Sequence, residues 1–367
     1  MGVVGGVDRT QRRFTPLGFP LAVIYKFFDD QGNYLAAAIT YYAFVAIFPL
    51  LLLASSILGF VLQGNPELQA QVLDSALSQF PIVGEELGRP HGLTGSTGAV
   101  VAGASAATYG CLGLGLSIQN VSAVAWGIPR NSRPNPILLR IKSVGLLLFA
   151  GMSVIVVSVV SALAGNTEVL GTDTSTTMRW LIRLATVLVV GSVLTILFRF
   201  AAAQSHRITR AAPGAFTVAV LWQLLQYLGT LYVTNVLDGP VSLNKTFGFV
   251  LGLVGIIYIA AVMGIVGAEV NVVLARRLWP RALLTPFTDA VDLTDADRRA
   301  YAMYAQTQRH KGFQTVAVRF DGRDGGTHEI VLSPETGEPD LKRRPPKDGT
   351  VAPAEPPHRL PDPDPDS

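Results

Sequence analysis

Three sets of side chains in this 367-residue sequence have the types and spacing to do chemistry. The first is a single acid, Glu269, in the apolar run Gly264-Ile-Val-Gly-Ala-Glu-Val-Asn271. It lies about two turns before the basic end of that run. An acid at such depth is costly unless it is paired, and intramembrane acids suggest function by default. Two readings stand: a structural ion pair with Arg276 or Arg199, or a proton, ion or headgroup site. The second set is Ser117, Gln119, Asn120 and Ser122, where no charge occurs between Arg89 and Arg130. Such groups form interhelical hydrogen bonds or line a polar pathway. Gln223 and Gln226, beside Trp222 and Tyr227, can line the same cavity. With Asn271, these residues form a candidate intramembrane polar site. Pro49 removes an N–H in mid-run and is a candidate hinge.

The third set is the histidines, and its pattern is negative. Metal-assisted or acid–base cleavage of RNA needs clustered histidines and carboxylates. His91, His206, His310, His328 and His358 are scattered, with no two at ligand spacing. Cys111 is the only cysteine, which excludes an intramolecular disulfide and a cysteine metal cage. The sequence therefore calls for no catalytic residue, no metal and no cofactor, and the expectation is that the protein is not an enzyme.

The elements that must position these residues are apolar helices. Hydrophobic residues make up 49% of the chain and charged ones only 15%, well under the roughly 25% of soluble chains. The expected fold is an all-α polytopic membrane protein with six transmembrane helices, both termini cytoplasmic and a small soluble C-terminal extension. Leu35 to Leu62 is an uncharged run longer than the ~20 residues that cross a bilayer core. The spans read as 35–62, 98–127, 137–163, 180–198, 212–236 and 247–274. Basic residues gather before the first span, between the second and third, between the fourth and fifth, and after the sixth. The other loops carry Glu67, Asp74, Glu85, Glu86, Glu168, Asp173 and Asp238. The positive-inside rule then places both ends in the cytoplasm. Arg179 and Arg183 are the outer exceptions, and Arg183 needs a partner.

Residues 1–34 form a cytoplasmic N-terminus in which Leu17 to Asp30 has helical apolar spacing. It reads either as an interfacial helix or as a helix packed on the bundle's cytoplasmic face. Leu68, Val72, Ala76 and Phe80 suggest an amphipathic helix in the first outer loop. The transmembrane domain covers 35–281. Residues 282–332 read as a small cytoplasmic helix opened by a capping box at Leu293 to Asp297, followed by a hairpin from Thr315–Phe320 and His328–Leu332. Residues 333–367, rich in Pro, Asp and Lys/Arg, read as a disordered tail.

Several stretches together resemble one family. They are LAAAITYYAFVAIFPLLLL in the first span, Asn120 to Trp126-Gly127, Ala212-Pro213-Gly214-Ala215 with Leu221-Trp222, Tyr232-Val233, Phe247-Gly248, and Gly267-Ala268-Glu269-Val270-Asn271. In order and spacing they are similar to the YihY/BrkB family of bacterial inner-membrane proteins over about residues 17–279. Ala46 stands where the family usually has Ser, and Ile256-Ile257-Tyr258 where it has Trp-x-Tyr. The resemblance implies six helices with both ends cytoplasmic, a multi-pass location in the bacterial inner membrane, and a link to virulence and the envelope. Many members bear an older label of transfer-RNA-processing ribonuclease, which the residue types here do not support.

Two functions are expected to compete. One is a transporter or translocator of a lipid or amphiphilic solute in envelope maintenance, using Glu269, the polar cluster and Pro49. The other is a non-transporting envelope scaffold that docks partners through its cytoplasmic tail. Membrane lipids are the expected partners, with room for a homo-oligomer and for a cytoplasmic protein on the tail, and no nucleic acid.

Overall fold

A computed structural model of the chain describes residues 8, 15–61, 97–165, 176–202, 207–236, 245–283, 285, 291–321 and 327–332. The outer-loop helix expected near residues 68–80, the acidic turn with Glu168 and Asp173, the tip of the hairpin and the tail from 333 lie outside these residues. So do the side chains of Pro49, Arg179 and Arg183, although the helix runs through position 49.

Each of the six apolar runs is a helix. After α1 (Thr15–Asp29) come α2 (Gly32–Val61), α3 (Thr97–Ala125), α4 (Pro136–Gly165), α5 (Thr176–Ala201), α6 (Ile208–Val236) and α7 (Lys245–Arg276). The shortest of α2 to α7 has 26 residues, roughly 39 Å at 1.5 Å per residue, more than a ~30 Å hydrocarbon core. Among the described residues, four helices are both long and apolar enough to cross a membrane: the stretches are Pro136–Ser153, Leu184–Ala201, Ile208–Tyr227 and Val250–Arg276. In α2 the apolar stretch counted this way is shorter, Gly32–Ile47. The molecule is a helical, multi-pass membrane protein.

Packing joins α2 to α3, α3 to α4, α4 to α5, α5 to α6, α6 to α7 and α7 back to α2, so the six helices close a ring, with α7 also touching α3. Outward-facing Ile137, Leu138, Ile141, Leu148 and Met152 on α4 and Leu184, Leu188 and Ile196 on α5 are exposed. A belt of this kind is at home against lipid and would be a liability in water.

Small residues set the close crossings. A Cβ at Gly113 would meet the Tyr42 ring at 2.1 Å, and one at Gly115 would meet Ser143 Cβ at 2.5 Å. Glycine thus lets α3 approach both α2 and α4. At its end α3 stops in a left-handed turn, where Gly127 has φ +63° and the Ile128 N–H donates to the Ala123 carbonyl at 2.9 Å. An equivalent stop closes α7: Arg277 has φ +53° and the Leu278 N–H donates to the Val273 carbonyl at 3.1 Å.

Helix α1 packs on α7 and α2 at the end of the bundle where α3, α5 and α7 finish. Its Ala22, Val23, Tyr25, Lys26 and Phe27 are buried. Of the two readings of this segment, its contacts are those of a helix packed on the bundle. Helix α8 (Asp295–Thr307) follows a cis Trp279-Pro280 bond, and its N-cap Thr294 makes the expected capping box with Asp297. Strands β1 (Val316–Asp321) and β2 (Thr327–Leu332) pair antiparallel, with Val316 opposite Leu332 and Asp321 opposite Thr327. Their Ile330 and Leu332 pack on Ala302 of α8, while Met303 of α8 joins Trp126, Val273 and Ala22 in the core. Helix α8 is therefore built into the bundle's end.

Candidate functional site

Two linked groups of charged side chains at this end are organised by α1. Lys26 and Glu269 are 1% and 0% exposed, and Lys26 Nζ lies 3.5 Å from Glu269 Oε2. Lys26 also pairs with Asp30 one turn on. Its ammonium sits 5.2 Å from the Tyr304 ring centroid, so α8 closes over the pair. The preceding carboxylate, Asp29, faces the second group. Arg281 Nη1 donates to Asp29 Oδ2 at 2.6 Å and Arg281 Nε donates to Asp297 Oδ1 at 2.8 Å. Asp297 Oδ2 accepts from the N–H groups of Ala282 and Thr294, each at 3.0 Å. The Arg281 guanidinium also lies 5.6 Å from the Tyr25 ring and 5.5 Å from that of Tyr301.

Electrostatics follow from that burial. Burial works against the charge on Arg281, but Asp29 and Asp297 outweigh it and hold the guanidinium above its ordinary pKa. Burial first, and then Asp30, Asp29 and Glu269, push the Tyr304 phenol well up, so it stays neutral. Tyr25 and Tyr301 are also raised by burial, with Arg281 opposing the shift.

A second arrangement joins α6 to α7. Pro213 interrupts the N–H ladder of α6, and the next N–H, of Gly214, donates to Asn271 Oδ1 at 2.7 Å. A Cβ on Gly214 would fall 1.8 Å from the Gly267 carbonyl oxygen. Pro213-Gly214 and Gly267-x-x-x-Asn271 thus form one helix crossing.

A third arrangement joins α3 to α4. Gln119 is buried, and its amide N–H groups face Ser143 Oγ at 2.7 Å, the Leu139 carbonyl at 3.0 Å and the Gly115 carbonyl at 3.3 Å. This amide is interhelical glue. Asn120 is exposed, and its Oδ1 accepts from Arg133 Nη1 at 2.9 Å. Burial, reinforced by the nearby Arg130 charge, lowers the Arg133 pKa.

Inside the ring lies a cavity of about 340 Å³ to which all six long helices contribute. Its wall is apolar: Ile39 and Ala43 from α2, Val121 from α3, Leu146 and Ala150 from α4, Leu194 and Phe198 from α5, Ala211 from α6, and Ile257 to Ala268 from α7. The polar lining groups are few, Ser122, Asn271 and Arg199, with Trp126 beside them. On α7 the lining runs from Ile257 to Asn271, about 21 Å along the helix axis. A volume at the low end of the ~300–1,000 Å³ of small-molecule sites, drawn out over that length, is narrow. Gly264 leaves part of it open, because a Cβ there would have nothing within 4 Å.

The residues expected to form one polar site are therefore dispersed. Asn271 reaches the cavity lining but is engaged with Gly214; Glu269 belongs to the ion group under α1; Gln119 holds α4; Asn120 holds Arg133. Ser117, Gln223 and Gln226 are half-buried and line no part of the cavity. The partner of Glu269 is Lys26, in place of the expected Arg276 or Arg199. The signal for Lys26 was present: a lysine inside the apolar stripe Val23-Ile-Tyr-Lys-Phe-Phe28, four residues before Asp30. Among the described residues no group of three or more His, Cys, Asp or Glu converges as metal ligands would.

The family described as Virulence factor BrkB matches this chain over residues 23–287. No curated protein and no solved structure matches it.

Proposed function

The chain belongs to the Virulence factor BrkB family, and from that premise we propose that it translocates a lipid or amphiphilic solute across the bacterial inner membrane in envelope maintenance. In this reading α2 to α7 are six spans, residues 35–281 are the transmembrane domain, and both termini face the cytoplasm. The alternation of basic and acidic loops supports that sidedness. The observation that carries the proposal is the cavity, which six helices surround and apolar side chains line. An apolar cavity holds an apolar guest better than it holds water. An anchor or a docking platform has no use for such a space in its middle. Transport of this kind needs binding and movement but no bond-making residue, so the reading requires no enzymatic activity of the chain.

The test is transfer of a fluorescent single-chain lipid between the leaflets of vesicles containing the purified protein. Wild type should accelerate transfer over empty vesicles, and Gly264→Phe, which puts a ring into the cavity, should return it to the empty-vesicle rate. Equal rates with both proteins would refute the reading. The competing role, a scaffold acting through its tail, predicts instead that ending the chain after Leu332 removes function. Ending it before α8 would be a poor test, because Asp297, Met303 and Tyr304 are part of the bundle's end.

A further inference from the structure

Resting on that reading, we propose that the cavity takes an amphiphile with one acyl chain and an anionic phosphate headgroup, bound at a lip formed by Arg199 and Lys142. The chain count comes from size: about 340 Å³ lies at the low end of small-molecule sites, room for one acyl chain and not for two. The headgroup comes from charge. Among the described residues of the cavity lining Arg199 is the one charged side chain, and it is exposed at the basic end of α5. Lys142 of α4 reaches the same lip, where its ammonium donates to the Ala202 carbonyl, which also lines the cavity. It lies 5.9 Å from the Phe200 ring centroid. Two helices thus bring one cation each to one opening.

No acid is available to neutralise them from the neighbouring helices. The sequence carries no Asp or Glu from 87 to 167 or from 174 to 237, so α3, α4, α5 and α6 have none. The one acid of α7, Glu269, is turned away toward Lys26 of α1. The two halves of the bundle's end therefore differ: under α1 and α8 Lys26 and Arg281 face Asp29, Asp30, Glu269 and Asp297, while beside the cavity Arg199 and Lys142 have no carboxylate partner among the described residues. A phosphate supplies the missing negative charge and accepts charge-assisted hydrogen bonds from both side chains. Trp126, at the same end of the lining, reports occupancy.

The experiment is quenching of tryptophan fluorescence in the purified full-length protein by two single-chain lipids brominated in the upper half of the chain, one with an anionic phosphoglycerol and one with an uncharged glycerol headgroup. The Trp126 component is the part lost in Trp126→Phe. Wild type should bind the anionic lipid about tenfold more tightly, the factor expected of one charge-assisted hydrogen bond. Arg199→Gln and Lys142→Gln should each lower that preference without changing the affinity for the uncharged lipid, which also shows that the variants are folded, and Arg199→Lys should retain most of it. Equal quenching by both lipids in wild type would overturn the headgroup assignment while leaving the cavity reading standing. Quenching of Trp126 by neither lipid would overturn both.

Discussion

Lys26 is an ammonium with almost no water contact and two carboxylates within reach, Asp30 and Glu269. Removing one partner of such a buried group leaves charge without compensation, at about 3–5 kcal/mol. Lys26→Met should therefore lower the thermal unfolding midpoint of the detergent-solubilised protein sharply. Adding Glu269→Gln to that variant should recover part of the loss, and failure to recover any would separate the two residues. The need of Glu269 for a cation was legible in the sequence, because an acid in an apolar run demands one. Its identity was not, since Arg276 is near in sequence while Lys26 comes from another helix brought alongside by folding. Tyr304 adds a dependence on pH. Burial raises its phenol above the unfolded value, so its contribution to stability is complete below about pH 10 and declines as pH rises past that point. Tyr304→Phe should flatten the alkaline loss of stability measured by thermal unfolding at several pH values.

At the scale of elements, α8 carries the clearest prediction. Asp297 is buried and accepts from Arg281, from the Ala282 N–H and from the Thr294 N–H that opens the helix. Asp297→Ala should release α8 and make the chain between residues 283 and 310 sensitive to limited proteolysis, with a stability loss of about 3 kcal/mol or more. Resistance equal to wild type would show that α8 is held by its apolar contacts alone. The α6–α7 crossing gives a second test. Gly214→Ala forces a methyl into the Gly267 carbonyl and should prevent the two helices from meeting, seen as loss of folded protein on detergent extraction. The six helices were readable because each is a long apolar run with at most two charges; the capping box at Thr294 and the alternating strands were readable for similar local reasons. That α8 docks onto α1 and α7 was not, because the contacts of Met303, Tyr304 and Asp297 join residues far apart in sequence.

For the whole molecule, the ring of six helices and its off-centre charge are the features that matter. The apolar wall of the cavity had no signature in the sequence, which pointed instead to a polar one lined by Gln223 and Gln226. The apolar wall is assembled from Ala, Leu, Ile and Gly contributed a few at a time by every helix, residues that read individually as lipid-facing or packing positions. The polar residues that did stand out proved to be joints: Gln119 for α3–α4, Asn271 for α6–α7 and Glu269 for α1–α7. In the proposed function translocation therefore rests on shape, while Gln119, Asn271 and Glu269 hold the helices together. The most direct test of that claim is mass spectrometry of the lipids that co-purify with wild type and with Gly264→Phe. The account predicts a defined single-chain anionic amphiphile enriched on wild type and absent from a variant that remains equally folded. The same bulk membrane lipid on both proteins would contradict it.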